Sequence, residues 1–303
     1  MATDFQSVLD SIVDELQPRL TEGRVATYIP ALARISHEQL GIALCAADGR
    51  EALAGAAHMP FSIQSISKVF TMALAMKHVG EELWERIGRE PSGDPFNSLV
   101  QLEHEQGIPR NPLINAGAIA VADRLVSGCG DAKDEILQMM SALCGEQVEF
   151  DSEVADSEGA SGYRNMALAN LMRSFGKLDN PVADVLDVYF HQCSIKMSCL
   201  QLARASRFLM HDGMHGGAPV IDARQTRRVN ALMLTCGTYD SAGEFAFRVG
   251  LPCKSGVGGG IIAVLPGEFS LCVWSPGLSS TGNSLVGMLA LEAFVEKTGL
   301  SLF

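Results

Sequence analysis

Residues Pro60–Phe70 read PFSIQSISKVF and join the two parts of the predicted fold. The segment follows two predicted strands and begins a helix, because apolar residues from Ile66 to Met76 recur at helical spacing. Ser65 and Lys68 lie three residues apart, so their side chains share one face of the first turn. Unpaired backbone N–H groups there can hold an oxyanion, and a lysine shielded from water can accept the serine proton. The segment therefore predicts a serine nucleophile with a lysine base.

The Ser-x-x-Lys spacing alone has little specificity in this chain. It occurs again at Ser174 and Lys177, at the end of another predicted helix, where Gly176 interrupts the helix before the lysine. We interpret this second copy as a surface coincidence. The structural setting, and not the spacing, therefore distinguishes the two copies.

A second motif occurs late in the chain. Lys254-Ser255-Gly256 precedes Val257 and three glycines at a predicted strand, where glycines let a backbone approach a ligand closely. Lys297-Thr298-Gly299 has a similar pattern, but it closes the last predicted helix as a C-terminal cap. An early Ser-x-x-Lys with a late Lys-Ser/Thr-Gly is the ordered pair of the penicillin-recognising serine hydrolases.

The two ends of the chain predict strands, and the middle predicts helices. The predicted strands are residues 41–48 and 51–57 and the segments EFAFRVG (244–250), GGGIIAVLP (258–266) and FSLCVWSP (269–276). Helical spacing marks NAGAIAVADRLVSG, DEILQMMSALCG, RNMALANLMRSFG, PVADVLDVYFHQC, CLQLARASRFLMHDG and ARQTRRVNALMLTCG, an N-terminal helix capped by Asp4 and a last helix from Asn283 to Lys297. We predict an α+β fold in which both ends build one antiparallel sheet of about five strands around an inserted helical lobe.

This pattern predicts a single catalytic domain over residues 1–303. The sheet lobe is expected at about residues 25–65 and 240–303, and the helical lobe at about residues 66–239. A cleft between the lobes is where a small-molecule site tends to form.

The composition narrows the possible partners and locations. The chain has 303 residues, 47% of them hydrophobic, and a net charge of −12, which disfavours nucleic acid as a partner. The N-terminus lacks the pattern of a signal peptide, and no apolar run reaches the ~18 residues of a membrane span, so we expect a cytoplasmic protein. The eight cysteines are far apart and form no C-x-x-C pair, so we expect reduced thiols. The chain also lacks H-E-x-x-H, and its histidines lack metal-ligand spacing. We therefore expect no metal site and no cofactor.

Seven longer segments, in this order, resemble the serine-dependent glutaminases. They are PFSIQSISKVF, EPSGDPFNS, RNPLINAGAI, SGYRN, VYFHQCSI, CGTYDSAGEFAFRVGLPCKSGVGGGI and VWSPGLSSTGNS. The resemblance runs from about Tyr28 to Ser284. It implies a β-lactamase/transpeptidase-like fold and a hydrolase that converts L-glutamine to L-glutamate and ammonia.

The resemblance also implies a role for each matching residue. Ser65 is expected to be the nucleophile and Lys68 its partner, and the backbone N–H of Val257 is expected to hold the oxyanion. The expected substrate contacts are Tyr28, Ser65, Asn115, Glu158, Asn165, Tyr189, Tyr239 and Val257, and Tyr189 or Tyr239 is expected to relay the proton together with Lys68. The group that takes the first proton is left open. The family further implies a homodimer or homotetramer.

The residue chemistry agrees with glutamine as the substrate. Glu158 is the one carboxylate in the implied set, so it is the natural partner of the substrate ammonium. Two alternatives are a hydrolase or peptidase acting on cell-wall peptides and a non-catalytic amino-acid-binding protein. The first calls for export, and the intact Ser65 and Lys68 argue against the second.

Overall fold

The structure is a computed structural model that describes residues 3–93, 95 and 97–303. The strands are β1 (Gly41–Ala46), β2 (Glu51–Gly55), β3 (Phe61–Ser62), β4 (Glu149–Phe150), β5 (Ile195–Met197), β6 (Met214–His215), β7 (Ala218–Pro219), β8 (Cys253–Ser255), β9 (Gly260–Leu265) and β10 (Phe269–Trp274). The helices are α1 (Phe5–Leu16), α2 (Ser67–Val79), α3 (Leu99–His104), α4 (Asn115–Gly128), α5 (Ala132–Cys144), α6 (Ser152–Ser161), α7 (Tyr163–Ser174), α8 (Val182–Cys193), α9 (Cys199–Ala205), α10 (Arg207–Met210), α11 (Ala223–Cys236), α12 (Ala242–Arg248) and α13 (Leu285–Thr298). Asp94 and Phe96 of the segment EPSGDPFNS lie outside the described residues.

The main sheet has five antiparallel strands in the order β2-β1-β10-β9-β8. Strands β1 and β2 come from the first part of the chain, and β8 to β10 come from the last part. The predicted sheet built from both chain ends is therefore confirmed. The strand β8, which carries Lys254 and Ser255, forms one edge of the sheet.

The two faces of this sheet pack against different partners because successive side chains of a strand point to opposite faces. Ile42 and Leu44 of β1 belong to an apolar cluster with α1 and α13, whereas Ala43 and Cys45 belong to a larger cluster with the helices of the middle region. Both faces are buried, which explains why β1 and β9 are apolar throughout and why the one polar residue of β10, Ser270, donates its hydroxyl to the Ala203 oxygen at 2.7 Å.

The first helix forms as its sequence predicts. The Asp4 side chain accepts a hydrogen bond from the Ser7 N–H at 3.3 Å and caps α1. Phe5, Leu9 and Ile12 are buried at helical spacing, and this face packs against β2 and α13.

One aromatic pair fixes the segment that leads into α2. The ring of Phe61 in β3 stacks on Trp274 of β10 with centroids 5.1 Å apart and planes within 5°. A Cβ atom at Gly260 would lie 2.5 Å from the Phe61 ring, so this close approach requires glycine. The stack holds the start of the Ser65 segment against β10, the middle strand of the sheet, and its neighbour β9.

Three predicted elements differ from the structure. The segment EFAFRVG is wrong as a strand: it forms most of α12, and Cys253–Ser255 supplies the fifth strand instead. The segment CLQLARASRFLMHDG divides into α9 and α10 at Ser206. The last helix begins at Leu285, two residues later than predicted, because Ser284 caps it.

Other features agree with the sequence or stay untested. The segment NAGAIAVADRLVSG forms α4 from end to end. The lobe boundaries near residues 65 and 240 stay a prediction. Across the residues that the structure describes, no helix has both the length and the apolar composition needed to cross a membrane.

Candidate active site

Ser65 lies in a 3₁₀ turn, Gln64–Ile66, that leads directly into α2. Gln64 has a φ angle of 50°, a left-handed conformation that a residue with a side chain adopts only at a cost. Ser65 is buried apart from 8% of its surface. The turn therefore presents the serine hydroxyl at a defined and strained corner.

The glycine-rich segment after β8 packs directly on this corner. A Cβ atom at Gly256 would lie 2.6 Å from the Ile63 oxygen and 3.3 Å from the Ser65 nitrogen, and one at Gly258 would lie 2.1 Å from the Ser62 oxygen. These glycines bring the backbone of Val257 next to that of Ser65. Among the described residues, no backbone hydrogen bond uses the N–H of Ser65 or Val257 as its donor. Both groups are thus available to a ligand oxygen.

Lys68 is almost completely buried, with 1% of its surface exposed. Its Nζ donates to Asn115 Oδ1 at 2.7 Å and lies 3.5 Å from the Leu113 oxygen. Burial lowers the pKa of Lys68 to about 8, against an opposing effect of Cys193 and Glu158. A fraction of this amine is therefore neutral near neutral pH.

Asn115 connects the lysine to the helical region. The sequence alone is compatible with Asn115 as a helix cap, but it is the first residue of α4, and Ile114 occupies the cap position. Its side chain accepts from Lys68 and donates from Nδ2 to Asn165 Oδ1 at 2.9 Å. The two asparagines therefore hold each other's amide orientation beside the cavity.

Glu158 is a buried carboxylate with an incomplete set of partners. It lies on α6 with 6% of its surface exposed, and among the described residues its Oε2 has no hydrogen-bond partner. Burial raises its pKa to about 8, although Lys68 and a hydrogen bond with Gln64 act in the opposite direction. A cation entering the cavity would favour the ionised carboxylate.

Two tyrosines flank the lysine and the serine. Tyr239 has a φ angle of 55°, and its hydroxyl donates to the Ser255 oxygen at 3.3 Å. Burial raises the pKa of Tyr239 to about 12, while hydrogen bonds with Ser65 and Ser255 lower it. The ring of Tyr189 lies 5.9 Å from Lys68 Nζ. Burial also raises the pKa of Tyr189 well above its usual value.

These groups meet at one cavity of about 190 Å³. Seven of the eight predicted substrate contacts line it, namely Tyr28, Ser65, Asn115, Glu158, Asn165, Tyr189 and Val257. Tyr239 instead lines a second cavity of about 470 Å³ and reaches the first through its hydrogen bond with Ser65. Tyr28 is 59% exposed and lies at the mouth of the smaller cavity.

Comparisons with known proteins identify the family of the chain. The family model described as Glutaminase matches residues 23–303. The chain belongs to the glutaminase family. A glutaminase of Rhodopseudomonas palustris is 57% identical over 301 residues, which cover 98% of this chain and 97% of the relative. A glutaminase of Agrobacterium fabrum is 55% identical over 305 residues, which cover 99% of both chains.

A solved structure extends the agreement to the fold of the family. The probable glutaminase from Bacillus subtilis, complexed with 6-diazo-5-oxo-L-norleucine, superposes with a TM-score of 0.89 at 32% identity. The match covers 100% of this chain and 98% of that one. The predicted glutaminase resemblance, the predicted glutaminase class of enzyme and the predicted β-lactamase-like α+β fold are therefore confirmed.

The structure of this glutaminase-family chain adds two residues that sequence reasoning missed, Gln64 and Cys193, and gives the contacts of a third, Lys254, that a sequence motif had indicated. Gln64 lines the cavity, and its Nε2 donates to Ser62 Oγ at 3.0 Å. Cys193 also lines the cavity and is fully buried. Lys254 of the late motif lies 4.4 Å above the ring of Tyr239 and donates to the Ser255 oxygen at 2.6 Å. The motif carrying Lys254 was visible in the sequence, whereas the positions of Gln64 and Cys193 depend on the fold.

Proposed function

We propose that this protein hydrolyses the side-chain amide of L-glutamine, with Ser65 as the nucleophile. The unpartnered Oε2 of Glu158, buried in the same cavity as Ser65, carries the proposal. A buried carboxylate oxygen without a partner is costly, and a substrate ammonium removes that cost. A cavity of about 190 Å³ is also small compared with the ~300–1,000 Å³ of sites for larger ligands. A single amino acid fits these two features.

The remaining polar groups suit the other end of the amino-acid head group. The amides of Asn115 and Asn165 and the hydroxyls of Tyr28 and Tyr189 can bind a carboxylate without adding charge. The ligand of the Bacillus subtilis relative supports the assignment. Its name describes an α-amino acid with a carbonyl at carbon five, the position of the amide carbonyl in glutamine.

The reaction begins when Ser65 Oγ attacks the amide carbon. The serine proton passes to the pair formed by Lys68 and Tyr239: Tyr239 is hydrogen-bonded to Ser65, and Lys68 has a lowered pKa. The N–H groups of Ser65 and Val257 stabilise the oxyanion, and the loss of one such donor typically costs ~3 kcal/mol of barrier.

The tetrahedral intermediate then loses ammonia. The carbon–nitrogen bond breaks as the same pair returns the proton to the leaving nitrogen, and a glutamyl ester of Ser65 remains. Water attacks this ester and gives a proton to the pair, and the pair passes that proton to Ser65 Oγ as the ester bond breaks, which releases L-glutamate and restores the Ser65 hydroxyl. All atoms and protons balance without a metal or a redox partner. The predicted cytoplasmic location and homodimeric or homotetrameric state stay predictions.

The test compares two serines that have the same spacing to a lysine. Release of ammonia and glutamate from L-glutamine is measured for the wild type, Ser65→Ala and the matched control Ser174→Ala. We expect Ser65→Ala to lose about 10⁴- to 10⁶-fold in kcat, as when other nucleophiles are removed. Ser174→Ala should retain wild-type turnover. Full activity of Ser65→Ala would refute the nucleophile, and a folded wild type without turnover would refute the reaction.

A further inference from the structure

Three potential metal ligands meet on the surface of the helical region. His78 lies near the end of α2, Cys129 follows the last residue of α4, and Glu135 lies in the first turn of α5. One ligand atom from each lies within 4.8 Å of the others, and this is the only such group of three in the part of the chain that the structure describes. The sequence gives no hint of the group because the three residues are separated by 51 and 6 positions.

The distances between these atoms resemble those around a tetrahedral ion. Zinc bonds of ~2.3 Å to sulfur and ~2.0 Å to nitrogen place the two ligands about 3.5 Å apart at a tetrahedral angle. Cys129 Sγ and His78 Nε2 are 3.5 Å apart. His78 Nε2 and Glu135 Oε2 are 2.8 Å apart, so an ion between them requires an opening of about 0.6 Å from the corresponding tetrahedral spacing of ~3.4 Å.

The helix directions also favour a cation at this position. His78 and Cys129 stand at the C-terminal ends of α2 and α4, where backbone carbonyls carry partial negative charge. Glu135 lies in the N-terminal part of α5, where the helix carries partial positive charge, and its carboxylate offsets that charge. A thiolate and a carboxylate together neutralise a divalent ion.

We propose that His78, Cys129 and Glu135 bind a divalent ion of the zinc type, with water in a fourth position. The mixed nitrogen, sulfur and oxygen set is one that zinc accepts and that magnesium and calcium do not prefer. The bond to sulfur forms as the Cys129 thiol releases its proton to solvent, so each ion bound displaces one proton.

This site is separate from the proposed catalytic centre. His78 lies ten residues after Lys68 on α2, which corresponds to about 15 Å along the helix. Ion binding is therefore expected to tie three helices together without contributing a group to the reaction. Binding can be measured directly and does not depend on the proposed activity.

Cobalt(II) is the probe because its spectrum reports its ligands. Chelator-treated full-length protein is titrated with Co²⁺, and then with Zn²⁺ as a competitor. We expect a thiolate-to-cobalt charge-transfer band in the near ultraviolet that saturates at one ion per chain and disappears when Zn²⁺ is added. Calorimetry in buffers of different ionisation enthalpy should show release of about one proton per ion. A titration without the charge-transfer band would overturn the site.

Matched variants identify the ligands. Cys129→Ser should abolish the band, and His78→Gln and Glu135→Gln should each weaken binding by more than about tenfold, the lower bound typical of lost outer-shell partners. Cys144→Ser is the control for a thiol, since a serine can keep its hydrogen bond to the Glu146 oxygen, and His58→Gln is the control for an exposed imidazole. Circular dichroism checks that each variant is folded. Because Glu135 is partly exposed, Glu135→Gln should fold and still tests the site if another variant misfolds. A band retained in Cys129→Ser would refute the assignment.

Discussion

The two Ser-x-x-Lys copies have the same spacing and opposite surroundings. Ser65 and Lys68 are buried where the sheet meets the helices, beside the cavity that contains Glu158. Ser174 is exposed at the end of α7, where its hydroxyl donates to the Leu171 oxygen at 2.7 Å, and Lys177 is half-buried beyond a left-handed Gly176. The hydroxyl proton of Ser174 is therefore engaged in a hydrogen bond at the end of the helix.

This difference shows what a buried setting adds to a residue pair. Removing the lysine from water destabilises its charged form, and this lowers the pKa of Lys68 to about 8. The strained corner at Gln64 and the glycines after β8 place two free backbone donors beside the serine. Spacing brings two side chains to one helix face, but only packing changes their chemistry.

The strongest test of the comparison removes each lysine. Lys68→Met should lower kcat by about 10²- to 10⁴-fold, because a group that transfers protons in the transition state typically contributes that much. Lys177→Met should leave kcat unchanged, because Lys177 and its neighbours do not belong to the proposed site. Glutamine turnover is measured for both variants, and their melting curves check that each is folded. Equal losses in the two variants would remove the distinction.

A second test targets Glu158, the carboxylate beside the buried pair Ser65 and Lys68. Glu158→Gln should raise KM for glutamine by about 10- to 150-fold, because a hydrogen bond to a charged group is worth ~1.5–3 kcal/mol. Glu153→Gln, an exposed change on the same helix, is the control. An unchanged KM in Glu158→Gln would exclude Glu158 as the ammonium partner.

The pH dependence sharpens the comparison further. The Lys68 amine must be neutral to accept a proton, and Glu158 must be ionised to bind the ammonium, and both pKa values lie at about 8. Both requirements are met as pH rises, so kcat/KM should fall by about tenfold or more per pH unit below pH 8 and level off above it. In Glu158→Gln one of the two ionisations is removed, so the fall should become less steep. A flat profile between pH 6 and pH 8 would contradict both roles.

The smallest effect is expected for the two motifs of the Lys-Ser/Thr-Gly type, Lys254-Ser255-Gly256 and Lys297-Thr298-Gly299. Gly299 has a φ angle of 68° and open space around it, so Gly299→Ala should cost only about 1–2 kcal/mol of the free energy of unfolding and leave turnover intact.

Gly256→Ala, by contrast, should reduce turnover, because its Cβ would press on the backbone of Ile63 and Ser65. Urea unfolding and glutamine assays separate the two outcomes. Intact turnover in Gly256→Ala would show that this close approach is not needed.

The one strand that the sequence misassigns shows where local pattern fails. The segment EFAFRVG alternates apolar and polar residues as a strand does, yet it forms most of α12. Phe245 is 1% exposed and Phe247 is 89% exposed, which a strand with both on one face would not allow. Phe245 and Val249 instead lie one helical turn apart and share the apolar cluster of the sheet. Tertiary packing selected the helical alternative.

The proposed site divides in a similar way. Ser65, Lys68, Lys254 and Val257 belong to short motifs that a single sequence reveals. Glu158 has no local signal and entered only through the resemblance of longer segments, whereas Asn165 has only the weak signal of Tyr163-Arg-Asn165. Gln64 was missed because its role depends on a strained backbone angle and on contact with Glu158.

Elements with a local cause can be predicted from the amino-acid sequence. Helical spacing and the Asp4 cap specify α1, a complete apolar stripe specifies α4, and short apolar runs bounded by tight turns specify β1, β9 and β10. Seven long segments also identified the family. Such features need only neighbouring residues and solvent.

Properties that depend on distant neighbours arise only when the chain is folded. The lowered pKa of Lys68, the unpartnered oxygen of Glu158 and the meeting of His78, Cys129 and Glu135 all arise between elements far apart in the chain. Desolvation and close approach are effects of surroundings, and identical letters such as Ser-x-x-Lys acquire different chemistry because the fold buries one copy and exposes the other.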